Sequence, residues 1–183
     1  MQLHSQMPSA PSAWVCRFAP LIAAGGAVLD LACGEGRNAR YLARLGYRVL
    51  AVDRDRAALA ALAGVDGIST CCADLEASDW PCGASRFDGI VVTNYLHRPL
   101  IPALLDALRP GGMLIYETFA RGNEKLGRPS NPDFLLGPDE LLHSVKGRLC
   151  VLAFEQGRIE RPKPAVIQRI CAVGREVADC RLE

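Results

Sequence analysis

No run in this 183-residue chain approaches the ~18 to 20 consecutive apolar residues needed to cross a bilayer. The opening Met-Gln-Leu-His-Ser-Gln-Met-Pro lacks the basic stretch and apolar core of a secretory signal, so a cytoplasmic setting is expected and a membrane partner is not. Charge excess is missing too. Against 20 acidic residues stand 21 basic ones, a formal +1, which gives no global pull toward nucleic acid or anionic lipid. The eight cysteines, at 16, 33, 71, 72, 82, 150, 171 and 180, include no Cys-x-x-Cys pair. That spacing suits neither zinc nor a disulfide framework; they read as small buried hydrophobes, and no metal site is expected. Internal repeats and low-complexity tracts are also lacking. What remains, half hydrophobic and 22% charged, is the composition of a soluble globular chain. Its length suits a single domain spanning 1–183, with residues 1–12, rich in Pro, Ser and Ala, as a loose tail.

Along the chain, helical and strand patterns alternate. A helix is predicted from Ser12 to Ala23, with Trp14, Val15, Phe18, Leu21 and Ile22 at helical spacing. Short apolar runs predict strands over Ala27–Leu31, Tyr47–Val52, Ile68–Cys72, Phe87–Thr93 and Met113–Phe119. Between them, helices are predicted over Asn38–Leu45, Asp55–Leu62 and Pro102–Leu108, the first stopped by Gly46. A polar loop from Ala120 to about Asn131 precedes a helix near Pro138–Val145. Leu149–Phe154 and Val166–Val173 read as strands, joined by a segment with no helical pattern, which suits an antiparallel hairpin. The expected fold is therefore α/β: a doubly wound, mostly parallel seven-stranded sheet with a C-terminal antiparallel hairpin and helices on both faces. Ligands of such sheets bind outside the carboxyl ends of the strands, near the switch in strand order.

Those strand ends carry the informative residues. After the first comes Asp30-Leu-Ala-Cys-Gly34-Glu-Gly36-Arg-Asn, whose paired glycines allow a tight turn that a ligand can approach. Asp53 ends the second strand, placed to accept the hydroxyls of a ribose, and Asp74 follows the third. Gly34-x-Gly36-x-x-Ala39 also satisfies the dinucleotide fingerprint, so two cofactors compete. Charge separates them. Asp30, beside the glycine turn, would repel a pyrophosphate and attract the ammonium of S-adenosylmethionine.

This ordered set resembles the class I (Rossmann-like) S-adenosylmethionine-dependent methyltransferases. Val28-Leu-Asp-Leu-Ala-Cys-Gly-Glu-Gly36 is similar to the family's first motif, and Asp53 and Asp74 to the acidic residues of the second and third. Phe87-Asp-Gly-Ile-Val-Val-Thr-Asn94 resembles the fourth, and Leu108-Arg-Pro-Gly-Gly-Met-Leu114 the turn into the fifth strand. The resemblance implies S-adenosylmethionine as cofactor, with Asp30 and the backbone at Ala32 and Gly34 at its methionine end, beside Gly36. It further implies Asp53 on the ribose, Asp74 on the adenine amino group, Leu75 offering an amide to the ring, Arg37 near the methionine carboxylate and Arg54 over an adenine face. Asn94 closes the cofactor set at the end of the fourth strand.

On the acceptor side, Asn94-Tyr-Leu-His97-Arg98 departs from the Asp/Asn-Pro-Pro-Tyr/Phe motif of amino-group methyltransferases acting on nucleic acid bases, which argues against that chemistry. His97 is the foremost general base by location, with Tyr95 beside it as an acceptor contact. Glu117, near the end of the fifth strand, faces the same region. The loop from Arg121 carries three basic residues, Arg121, Lys125 and Arg128, suited to covering the site and meeting an anionic acceptor. Its sequence is similar to that of small bacterial methyltransferases of the tellurite-resistance type. With no room for a second recognition domain, a small-molecule acceptor is expected. Two other readings remain open on the same residues: an NAD(P)-dependent oxidoreductase, and a methyltransferase-like module that binds without catalysis.

Overall fold

A computed structural model describes residues 9–78 and 80–174 of the chain. Apolar runs set seven strands: β1 (Ala27–Leu31), β2 (Arg48–Asp53), β3 (Ile68–Cys72), β4 (Phe87–Thr93), β5 (Leu108–Phe119), β6 (Leu149–Ile159) and β7 (Ala165–Gly174). They form one sheet in the order β3-β2-β1-β4-β5-β7-β6. The first five are parallel, and β7 inserts antiparallel between β5 and β6. The expected sheet and terminal hairpin are thus present. The strand order reverses between β1 and β4, and this switch point fixes where a ligand can enter.

Side chains alternate across β1, so Leu29 and Leu31 enter one core and Val28 the other. On the Val28 face lie α1 (Ala13–Phe18), α2 (Arg37–Arg44) and α3 (Arg56–Ala60), packing Trp14, Phe18, Leu42 and Leu59 against the sheet. On the other face, α4 (Ile101–Ala107) and α5 (Glu140–Val145) contribute Leu104, Leu105, Leu141 and Val145. Asp30 shares the face of Val28 and is 1% exposed.

Several boundaries differ from expectation. The predicted first helix stops at Phe18 and continues as one 3-10 turn, Ala19–Leu21, because Pro20 removes a backbone donor. Helix α5 starts at Glu140 rather than Pro138. Strand β5 reaches back to Leu108 across a bulge opposite Phe87–Gly89, so Arg109-Pro-Gly-Gly lies within the strand. No helix joins β3 to β4 among the described residues, so strand–helix alternation breaks there. Ser12, expected in a loose tail, is buried; its Oγ accepts from the Trp14 and Val15 amides and caps α1. Residues 1–8 lie outside the described part. No helix among the described residues is long and apolar enough to cross a membrane.

Candidate active site

Strands β1 and β4 are adjacent, with Leu31 paired to Val92, and each turns away just past its end through a left-handed residue. Ala32 has φ 51° and Asn94 φ 58°. Alanine is uncommon in this region, and such strain gathers at functional sites. Three cavities meet around these two turns. One, of about 270 Å³, follows the ends of β2 and β3 and is lined by Asp53, Arg54, Asp74 and Leu75. A second, also about 270 Å³, follows the glycine loop past Gly34, Arg37 and Thr93. The third, about 180 Å³, lies between the segment after β4, the end of β5 and the loop beyond it. Ala32 is common to the first and second, Asn94 to the second and third, and Glu76, Tyr95 and Phe134 to the first and third. A larger open groove of about 570 Å³ lies at the opposite ends of the strands, beside Arg48, Arg86 and Arg109, and holds none of the expected residues.

The glycine loop is held by its neighbours. The Cys33 amide donates to the Val52 carbonyl at 3.1 Å, and the Gly34 amide to Asp53 Oδ2 at 2.7 Å. Asp53 Oδ1 accepts from the Asp55 amide at 2.9 Å, so this carboxylate braces the loop and the start of α3 while lining the first cavity. Gly36 (φ 75°) begins α2, and a Cβ there would lie 2.5 Å from Leu62. A Cβ at Gly34 (φ 55°) would meet no protein atom within 4 Å. Arg37 lines the second cavity and donates to the Ala10 carbonyl at 3.3 Å. Asp74 is exposed, with Oδ1 accepting from the Glu76 amide.

Two expected cofactor residues do not line these cavities. Gly36 is buried where α2 begins, a structural position. Asp30 is not at the lip of β1 but buried beneath the loop, and both its oxygens lack a hydrogen-bond partner. Burial pushes its carboxyl up to about 7, against the opposing pull of the Ala39 amide and the Arg37 charge. An orphaned carboxylate in this position suits a cationic group above it and not a phosphate, so the residues fit an ammonium-bearing ligand.

In the third cavity, Tyr95 is the expected acceptor residue that the structure places at the wall. Its hydroxyl is buried without a partner, and burial with the Glu76 and Asp74 charges pushes it up to about 12. His97 is half-buried at the N-cap of the 3-10 turn Arg98–Leu100 and is absent from the cavity walls. Glu117 accepts from Ser12 Oγ at 2.8 Å and pairs with Arg169 at 3.2 Å, and is occupied in joining α1 to the sheet.

Two residues of the segment after β5, Pro129 and Phe134, line the third cavity. The segment is pinned by Asn123, whose Nδ2 donates to the Pro129 carbonyl, and by Arg98, which pairs with Glu140 and donates to the carbonyls of Asp133 and Leu135. Its basic residues are another matter. Arg121, Lys125 and Arg128 are exposed and none lines the cavities. Sequence reasoning missed Glu76, Pro129 and Phe134 as site residues; an aromatic within so polar a loop was the available signal.

Comparison with known proteins places this geometry. Residues 28–112 match the model of a methyltransferase domain. Over that stretch the chain is similar to a methyltransferase domain. A stretch of 87 residues is 32% identical to a probable S-adenosyl-L-methionine-dependent methyltransferase, TehB, of Haemophilus influenzae, covering 45% of this chain and 30% of that protein. A second Haemophilus influenzae strain gives 34% over 83 residues. The chain spans about 30% of the length of these curated relatives. Among solved structures, TehB of Haemophilus influenzae superposes with a TM-score of 0.74 at 22% identity, covering 93% of this chain and 64% of that one. A methyltransferase from Mesorhizobium loti gives 0.69 at 20% identity, covering 88% and 98%. At such identities these structures establish the fold, which is that of the domain. Both curated relatives are described as probable S-adenosyl-L-methionine-dependent enzymes.

Proposed function

We propose that the chain transfers a methyl group from S-adenosylmethionine to a small-molecule acceptor seated in the cavity beside Tyr95. The observation that carries this reading is the orphaned Asp30 carboxylate beneath a glycine loop flanked by Asp53 and Asp74. Three carboxylates at one sheet edge suit a ligand with an ammonium, a ribose and an exocyclic amine, and oppose the pyrophosphate of NAD(P).

In this reading Asp53 holds the ribose hydroxyls with lone pairs not engaged by Gly34 and Asp55, and Asp74 with Leu75 holds the adenine. Arg37 and the loop backbone hold the methionine end above Asp30. When bound, the cofactor supplies an activated methyl on a sulfonium. Ala32 and Asn94, where the cavities join, bring acceptor and donor chambers within reach, so positioning supplies much of the rate. Tyr95 contacts the acceptor, and His97 acts as a base from outside the wall, through water.

Calorimetric titration with S-adenosylhomocysteine and with NADH tests the donor. Binding of the nucleoside thioether alone, together with methylated product by mass spectrometry, is expected. Binding of NADH alone would return the oxidoreductase reading, and thioether binding without turnover on any small-molecule panel would favour a non-catalytic module.

A further inference from the structure

We infer that the methyl acceptor is a small ring-bearing amine, recognised by the Glu76 carboxylate and the Tyr95 hydroxyl beside the apolar side chains of Phe119, Pro129 and Phe134. This rests on the donor reading above and names its substrate class. Size comes first. The acceptor cavity holds about 180 Å³, and an apolar cavity of roughly 150 Å³ accepts one benzene. A single ring with a short substituent fills it, whereas a nucleotide or a folded chain does not.

The walls give the second argument. Phe119, Pro129 and Phe134 line the cavity, a set of apolar and aromatic side chains that favours a ring over a hydrated oxyanion. Charge gives the third. The ionisable groups lining this cavity are Glu76 and Tyr95. The Glu76 side chain makes no ion pair or hydrogen bond among the described residues, and no cation lines the chamber. Arg54 stands in the neighbouring nucleoside cavity. An anionic acceptor would therefore enter beside the exposed Glu76 carboxylate, with no cation in the lining to receive it. A nitrogen base instead donates N–H to Glu76 and completes the buried, unpartnered Tyr95 hydroxyl.

The chemistry balances on these groups. The acceptor nitrogen's lone pair takes the methyl carbon while the carbon–sulfur bond leaves its pair on sulfur, turning the sulfonium into a neutral thioether. The amine, protonated at neutral pH, first gives one N–H proton to Glu76 or to water to free that lone pair, and the positive charge lost by sulfur ends on the methylated ammonium.

Protein saturated with S-adenosylhomocysteine is titrated calorimetrically with benzylamine and with benzoate, two probes of like shape and opposite charge. Benzylamine is expected to bind at least about tenfold more tightly, a difference one well-placed charged hydrogen bond supplies. Glu76→Gln is expected to reduce the ratio to about threefold or less, and Phe134→Ala to weaken both probes. Benzoate binding as tightly as benzylamine, or no binding of either probe, overturns the inference. Failure of S-adenosylhomocysteine to saturate the protein overturns the donor reading instead.

Discussion

Asp53 and Gly34, nineteen residues apart, are joined by a hydrogen bond of 2.7 Å from the glycine amide to the carboxylate. The residue proposed to bind ribose is thus also the brace of the glycine loop. Asp53→Ala should weaken S-adenosylhomocysteine by about one to two orders of magnitude and cost ~1 to 3 kcal/mol of stability, since the Gly34 and Asp55 amides lose their acceptor. Isothermal calorimetry and thermal unfolding separate the two effects. A variant that loses stability and keeps full affinity would leave Asp53 as a brace only.

Asp30 sets a pH dependence. Its carboxyl is raised from 3.8 to about 7 in the folded chain, so between those values the native state holds a proton that the unfolded state releases. Its contribution to stability is fully present below the unfolded value and is lost as pH rises through the folded one. A bound ammonium reverses the preference. Binding of S-adenosylmethionine at pH 6 should therefore expel close to one proton, seen as a buffer-dependent calorimetric enthalpy that vanishes at pH 8 and in Asp30→Asn. No buffer dependence at pH 6 would place the ammonium elsewhere.

The two glycines of the loop should fail differently. Gly34→Ala strains a left-handed backbone position but brings its Cβ against no protein atom, while it intrudes on the second cavity, where the methionine end is proposed to lie. Gly36→Ala drives a Cβ against Leu62 and strains the start of α2. The expected order is a larger loss of affinity at Gly34 and a larger fall in melting temperature at Gly36, several degrees for ~1 to 2 kcal/mol. Equal effects on both measurements would mean the loop and the pocket are not distinct.

Tyr95 and His97 are told apart by kinetics. Tyr95→Phe removes the buried hydroxyl and should raise the acceptor's KM about tenfold with donor affinity unchanged. His97→Ala should lower kcat and leave both affinities in place, by less than the ~10²-fold usual for a directly contacting general base. A loss of 10³-fold or more would put the imidazole in direct contact with the acceptor.

Much of this was legible in sequence. Ala27–Leu31, Ile68–Cys72 and Phe87–Thr93 were bounded to the residue, because short apolar runs flanked by turn residues leave little choice of register. The extension of β6 through Glu155–Ile159 was not, since an exposed edge strand carries polar side chains and no alternation. The cavity lining was readable where it follows strand ends, as at Asp53, Asp74 and Gly34. The depth of Asp30 was hidden, because burial depends on α1 and α2 closing over one face. Glu76 and Phe134 share a wall though 58 residues separate them in the chain, and no local pattern announces such a meeting. The basic loop misled because charge density says nothing about which side of a loop turns inward.

The insertion of β7 between β5 and β6 has a consequence for synthesis. On a ribosome, β5 is complete at Phe119 while its outer neighbour ends only at Gly174. At ~5 to 20 residues per second the nascent chain carries an open β-edge for several seconds. β6 emerges first but pairs with β7, not β5, so it offers no early cover. The parallel half of the sheet, with the cavities at its carboxyl edge, must therefore wait half-finished, its sticky flank awaiting β7, and a chain stalled before Ala165 would be a template for aggregation.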